Sequence, residues 1–363
     1  MNRLEEIVEP LLGWFDSHAR VLPWREEPTP YRVWISEIML QQTRVEAVKP
    51  FYERFLSALP GVRDLAECSQ DRLLKLWEGL GYYNRARNLQ KAAQILMAQY
   101  GGRMPADYGK ILELPGIGPY TAGAVASIAY GIPVPAVDGN VLRVFSRILV
   151  LEEDILKQSV KRRIEEELQA VMPQNRPGAF NQALMELGAT VCVPNGPAKC
   201  EECPLKELCL ARIQGRTAEF PRKAPKKARK IEDRTVLVIR DGEKAAISQR
   251  PDKGLLAGLY ELPNLPGRLD REEVLQLLRD WGMEPVHIQE LKESRHIFSH
   301  IEWHMTGYAI RVEELEHSVR DGLLFVEPSR TEKEYPIPAA FAAYTDYLQI
   351  RLGQEKYESE KKI

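Results

Sequence analysis

Ile111-Leu112-Glu113-Leu114-Pro115-Gly116-Ile117-Gly118-Pro119-Tyr120-Thr121-Ala122 leads into a run of small residues and then Val137-Asp138-Gly139-Asn140-Val141-Leu142-Arg143. These two segments decide how the chain is read. A helical turn should stop at Leu114-Pro115, because proline disfavours helical backbone in the residue before it. Gly116 and Gly118 permit a tight turn that brings backbone N–H groups to the surface. Pro119 suits the first turn of a new helix, where its missing N–H costs nothing. Such a terminus favours an anion, through its N–H groups and the helix dipole. From the glycines alone, an ordinary helical corner without a ligand stays open. Asp138 stands where the next helix should begin, either as its N-cap or in a simple Asp-Gly turn. As a cap it would be held ionised by the dipole.

Outward from this hairpin, the 363 residues are enough for two domains, and the composition is that of a globular protein. Arg3, Glu5, Glu6 and Glu9 interrupt any apolar leader. Nowhere do 18 apolar residues run together, so no membrane partner is expected and the expected location is cytoplasmic, with the nucleoid if the source is bacterial. The formal net charge of −2 announces no nucleic-acid partner by itself.

Residues 4–16 carry helical periodicity, with Leu4, Ile7, Leu11, Leu12 and Phe15 on one side. Leu22-Pro23-Trp24-Arg25 breaks it, and Thr29-Pro30 opens a helix containing Trp34 to Thr43. Glu37 shares a helical face with Val33, Trp34 and Leu40, so it is exposed at an edge or buried with a raised pKa. Gly79-Leu80-Gly81-Tyr82-Tyr83-Asn84-Arg85-Ala86-Arg87 sets aromatic rings beside cations, which suits bases and phosphates or an ordinary helix start.

Five cysteines occur. Cys68 stands alone and reads as a small core residue, while the rest run Cys192-x7-Cys200-x2-Cys203-x5-Cys209. Clustering of this kind points to metal rather than disulfides in a reducing compartment. Zinc and an iron–sulfur cluster are both open on ligand chemistry.

Taken together, the hairpin, the small-residue helix and Asp138 resemble the core of the helix–hairpin–helix DNA glycosylases, and Trp34 to Thr43 resembles the catalytic-glutamate helix of the adenine DNA glycosylase family. The resemblance implies that Glu37 protonates adenine and that Asp138, steadied by Asn140, stabilises a positively charged sugar or attacks it transiently. It implies an adenine pocket of Trp24, Arg25 and Gln182. It also implies DNA contacts by Leu40, Gln42, Thr43, Leu80, a wedge at Tyr82, and the Gly116 and Gly118 turn, where a monovalent or calcium ion can sit beside the phosphate. The four clustered cysteines resemble the family's 4Fe–4S loop, whose first spacing is commonly one residue shorter. The implied partner is double-stranded DNA with adenine opposite 8-oxoguanine or guanine, bound by a monomer. No clamp or other repair partner is specified.

Beyond Pro221 to Lys230, which is basic and free of acids, the pattern turns to strands: Thr235 to Arg240, an Asp241-Gly242 turn, and Ala245 to Gln249. A helix near Glu272 to Trp281 and further strands follow, an order that resembles a Nudix fold. The glutamates of a working Nudix helix are replaced here by Gln276, Arg279 and Asp280, so recognition rather than pyrophosphate hydrolysis is expected. The family resemblance implies that Phe298-Ser299-His300 is the loop that would meet 8-oxoguanine.

The expectation is thus an α+β multidomain chain. An all-α helix–hairpin–helix glycosylase (1–220, cysteine loop about 190–212) is followed by a basic linker (221–231). An α/β Nudix-like recognition domain (232–350) and a frayed charged tail (351–363) complete it. A thymine or uracil mismatch glycosylase and a non-catalytic DNA-binding protein are the competing readings; Glu37 with the second domain opposes the first, and Glu37 with Asp138 opposes the second. Family members that cut the strand carry lysine where Tyr120 stands, and a phenol cannot form an imine. Borohydride should therefore fail to trap the wild-type protein on abasic or adenine-mispaired DNA; efficient trapping would overturn the monofunctional assignment.

Overall fold

The computed structural model describes residues 3–225, 228–313 and 322–353. Lys226 and Lys227 of the basic run and residues 354–363 of the charged tail lie outside the described residues. The chain forms two compact units, Met1–Glu67 with Asn88–Lys226, and Cys68–Arg87 with Lys227–Ile363. The segment around Tyr82 thus groups with the C-terminal sheet.

In the helical unit, α1 (Val8–His18) buries Leu11, Leu12 and Phe15. The start expected at residue 4 is instead a turn, although Leu4 and Ile7 are buried as the periodicity requires. Thr29 caps α2 (Pro30–Leu40) by accepting from the Arg32 N–H. The hairpin runs from α3 (Tyr108–Leu112) to α4 (Pro119–Tyr130), which ends at left-handed Gly131. Gly116 has φ +77°, and an added Cβ would lie 2.6 Å from Asn88 Cβ, so both conformation and space demand glycine.

Central α4 is buried from Thr121 to Ser127 and packs on α2 and on α6 (Pro177–Thr190). Glycines let these backbones touch. A Cβ on Gly123 would stand 2.1 Å from the Pro135 carbonyl, and one on Gly178 would stand 2.6 Å from that of Ser127. Fully buried Asn181 on α6 completes the junction: its amide donates to Ser127 Oγ (2.8 Å) and the Val134 carbonyl (2.9 Å) and accepts from the Ala136 N–H (3.0 Å). Residues 134–136 are pinned this way immediately before Asp138 opens α5 (Gly139–Leu149). Arg222 is no free linker charge, because it pairs with Glu152 and Glu219, and the Ala224 N–H donates to Asp154.

Among the described residues, the second unit holds a seven-stranded sheet. Its strands are β1 (Lys230–Asp241), β2 (Lys244–Gln249), β3 (Tyr260–Glu261), β4 (Asn264–Pro266), β5 (Pro285–Ile297), β6 (Ile301–Val312) and β7 (Leu323–Val326). The order is β3-β2-β1-β6-β5, with β4 on β1 and β7 on β2; β1 and β6 are parallel and the other pairs antiparallel. Alternation along β1 splits its side chains between two cores. Val236 and Val238 meet Trp303, Phe341 and Tyr344, while Leu237 and Ile239 meet Val274 and Leu278 of helix α7 (Arg271–Asp280). Asp270 and Glu273 close a capping box at the start of α7.

Segment 68–87 joins this unit through a buried ion pair. Lys75 Nζ lies 3.0 Å from Glu78 Oε1 and donates to the Tyr335 carbonyl, and the Ile337 N–H donates to Glu78. Cys68 is half-buried after the Val62–Glu67 helix, and its thiol donates to the Ser69 carbonyl; the solitary cysteine is not a core residue.

Candidate active site

α2, α4, α5 and α6 line a cleft of about 630 Å³. Glu37 enters it from the last turns of α2 and is only 5 % exposed. Its neighbours on the helix, Val33, Trp34 and Ile38, are buried, so the carboxyl is desolvated rather than at an edge. Burial pushes its pKa up to about 7, with the Asp138 charge acting the same way and the Tyr120 hydrogen bond and Arg25 charge opposing. The Tyr120 hydroxyl, at the start of α4, donates to Glu37 Oε2 and lies 3.3 Å from Met185 Sδ. Burial, reinforced by the Glu37 and Asp138 charges, raises the phenol well above its ordinary value, so it remains a donor.

Across the cleft, Asp138 is the N-cap of α5. Its Oδ1 accepts from the N–H groups of Asn140 and Val141, both at 2.8 Å, and its Oδ2 accepts from Asn140 Nδ2 at 2.7 Å. Burial raises this carboxyl above the ordinary aspartate value, and the three donors pull it back. The three donors favour the charged form and work against the burial that opposes it. One cleft therefore holds a desolvated acid and a donor-held anion.

Trp24 and Arg25, from the short helix Pro23–Glu26, reach the same cleft. Trp24 meets Tyr52 edge-on, and the Arg25 guanidinium lies over Phe15 and donates from Nε to Gln182 Oε1 at 3.1 Å. Leu40, Gln42 and Thr43 line the rim where α2 ends, with Gln42 at φ +61°. Gly118 also belongs to the lining, with its α-carbon facing open space.

The remaining contact candidates gather in the second unit. Tyr82 is 47 % exposed at φ +48°, stacks near Arg85, and its hydroxyl lies 3.3 Å from Ser299 Oγ. Leu80, by contrast, is 6 % exposed, so the expected surface contact by its side chain is not offered. Phe298 is half-buried between His296 and Trp303, and exposed His300 accepts from the Lys230 N–H through its carbonyl. Gln276 on α7 donates to Asp280, in place of the acids a magnesium site would need.

The four clustered cysteines ring a small cavity of about 30 Å³ beside α5. Among the described residues no three Cys, His, Asp or Glu groups converge on a position for one metal ion. Burial raises Cys203 to about 12 and raises Cys200 and Cys209, so loading must expel protons. Arg147 Nη1 donates to Cys192 Sγ at 3.1 Å.

A model of the HhH-GPD superfamily of base excision DNA repair proteins matches residues 35–170, and one of the NUDIX domain matches residues 235–347. The human adenine DNA glycosylase is 34 % identical over 95 % of this chain and 74 % of its own length. That of Buchnera aphidicola from Acyrthosiphon pisum is 33 % identical over 83 % and 85 %. The chain belongs to the adenine DNA glycosylase family. The fold of a thermostable thymine-DNA glycosylase superposes with a TM-score of 0.54 at 30 % identity, covering 58 % of this chain and 97 % of that one. As a member of this family the chain is a DNA N-glycosylase with a Nudix-like second domain.

Several residues of the site were not anticipated. Glu186, 1 % exposed on α6, binds Arg20 Nε at 2.6 Å and Arg25 Nη2 at 2.9 Å. Arg143, at i,i+4 from Arg147 within an otherwise apolar helix, donates to Asn140 Oδ1 (2.8 Å) and the carbonyls of Gly188 and Cys192. A charge interrupting an apolar helical stripe was the available signal for both Glu186 and Arg143. Replacing Tyr120→Phe removes the hydrogen bond that holds the Glu37 pKa down, so carboxyl-labelled NMR should find Glu37 titrating above about 7; an unchanged or lower value would contradict the contact.

Proposed function

We propose that this chain hydrolyses the N-glycosidic bond of adenine opposite 8-oxoguanine or guanine, without cutting the strand. The observation that carries the reading is the pairing, in one cleft, of Glu37 raised to about 7 with Asp138 held as an anion by the α5 N-terminus. Adenine has to leave the stack to reach a cleft between helices. Glu37, protonated at or below neutral pH, gives its proton to the purine ring, which would otherwise depart as a poor anion. Bond cleavage leaves positive charge on the sugar. Asp138 supplies an oriented negative charge without reorganisation, and Asn140 keeps it aimed. Two carboxyls whose environments divide them into acid and anion follow the logic of glycoside hydrolysis.

Recognition is shared. Trp24, Arg25 and Gln182 face the extrahelical base, Leu40, Gln42 and Thr43 hold the rim against the duplex, and the Gly116–Gly118 turn takes a backbone phosphate. Tyr82, beside Ser299 and His300 on the second unit, tests the opposite base. The absence of a magnesium-binding glutamate set from α7 supports a recognition role for that domain. Cys192, Cys200, Cys203 and Cys209 would hold a 4Fe–4S cluster, which when bound would cross-link the loop from Cys192 to Cys209 beside Arg147 of α5 rather than supply a reaction step.

Protonated Glu37 being the active form, single-turnover adenine release should fall about tenfold per pH unit above about 7. The deciding assay incubates duplexes carrying adenine opposite 8-oxoguanine, with thymine opposite guanine as a control, and measures free base and alkali-labile sites. Asp138→Asn should bind the duplex and release adenine roughly three orders of magnitude more slowly. Near-normal turnover by that variant, or no adenine release by bound wild type, would be fatal to the reading. Purified protein should also absorb near roughly 400 nm through iron–sulfur charge transfer, and a colourless zinc-loaded protein would contradict the cluster.

A further inference from the structure

We infer that Glu186 is a positioning residue for base recognition: by clamping Arg25 it fixes the Gln182 amide with its NH2 group turned to the cleft, as a donor for a ring nitrogen of the extrahelical purine. The inference rests on the glycosylase reading above and adds a residue and a polarity to it.

Gln182 and Glu186 lie at i,i+4 on α6, so their side chains share one face of the helix. Glu186 is buried, and its oxygens are occupied by two arginines: Oε1 accepts from Arg20 Nε and the Arg20 backbone N–H, and Oε2 from Arg20 Nη2 and Arg25 Nη2. Burial alone would raise its pKa; the hydrogen bonds and charges of Arg20 and Arg25 bring it below the ordinary glutamate value, so the group is an anion. Arg25 is thereby held by three acceptors at once, Glu186 Oε2, the Arg20 carbonyl at 3.0 Å and Gln182 Oε1 at 3.1 Å.

A guanidinium has no acceptor, so the Gln182 atom facing Arg25 must be the oxygen. The NH2 end then faces the other way, into the cleft that Gln182 lines. A rigid donor suits the unprotonated ring nitrogens of adenine and disfavours a base edge that itself donates. The clamp has a second consequence. Glu37 is faced by Tyr120, Asp138 and Arg25, and the Arg25 charge lowers its pKa. Glu186 offsets that charge, which helps to keep Glu37 protonated near neutrality.

The test is a double-mutant cycle in single-turnover adenine release, run at saturating full-length protein. Glu186→Gln keeps the volume and removes the charge, and should slow release about tenfold to a hundredfold, as expected for a lost charge-assisted hydrogen bond. Gln182→Ala should cost a similar factor, and the double variant should lose no more than Gln182→Ala alone. The alkaline limb of the pH profile should also move to lower pH in Glu186→Gln. Glu186→Asp, which restores the charge, should recover part of the rate. Multiplicative losses in the cycle, or an unmoved pH limb, would assign Glu186 a structural role only and overturn the inference. If Glu186→Gln does not fold, as judged by circular dichroism, Arg25→Lys replaces it in the cycle with the same non-additivity expected. Wild type that binds but releases no adenine overturns the catalytic reading instead, and this inference with it.

Discussion

The hydrogen bonds that hold the Asp138 carboxylate are the constraint on which the helical unit depends. Two come from backbone N–H groups at the first turn of α5 and one from the Asn140 amide. Asn140 is itself held by Arg143, which reaches on to the carbonyls of Gly188 and Cys192. A Cβ on Gly188 would stand 2.5 Å from Asn140 Cβ, so α6 must present glycine for the cap to sit where it does. Buried Asn181 pins the approach to the cap from the other side. A single carboxylate is thus fixed through α5 and α6 and, through Arg143 and Arg147, tied to the cysteine loop. The cysteine loop is thereby coupled, through two arginines of α5, to the helix whose terminus aims the charge.

Electrostatics in the cleft follow from that placement. Burial keeps Glu37 protonated to higher pH, and the negative charge at Asp138 adds to that shift. Tyr120 moderates the shift by donating to the carboxyl, while Arg25, engaged by Glu186, adds a weaker pull in the same direction. The acid and the anion are chemically alike. Their opposite states come from what surrounds them: apolar α2 neighbours for one, helix N–H groups for the other.

The second unit has a Nudix-like architecture. Its sheet is stabilised on both faces by period-2 alternation, and α7 carries a capping box, with Gln276 and Arg279 further along it. Segment 68–87 is locked to this sheet by Lys75 and Glu78, which bring Tyr82 to the Phe298–His300 turn. Tyr82 and Ser299 are 217 residues apart in sequence and share one surface.

Local chemistry was enough to read much of this from the sequence. Proline and glycine punctuation located the hairpin, Thr29-Pro30 the start of α2, Asp138 the cap of α5, and alternation the β1–β2 hairpin, because each depends on backbone preferences within a few residues. Only tertiary structure could decide the rest. It buried Glu37 rather than exposing it, and buried Leu80 while displaying Tyr82. It also took Arg222 out of the linker, and it set Glu186 and Arg143 as braces behind the residues that face the substrate. Burial and long-range ion pairing depend on which helices come together, and that is a property of the packed chain, not of any short stretch of it. The residue types that can do the chemistry are written in the sequence; their protonation states and aim arise from desolvation and partners that only the fold supplies.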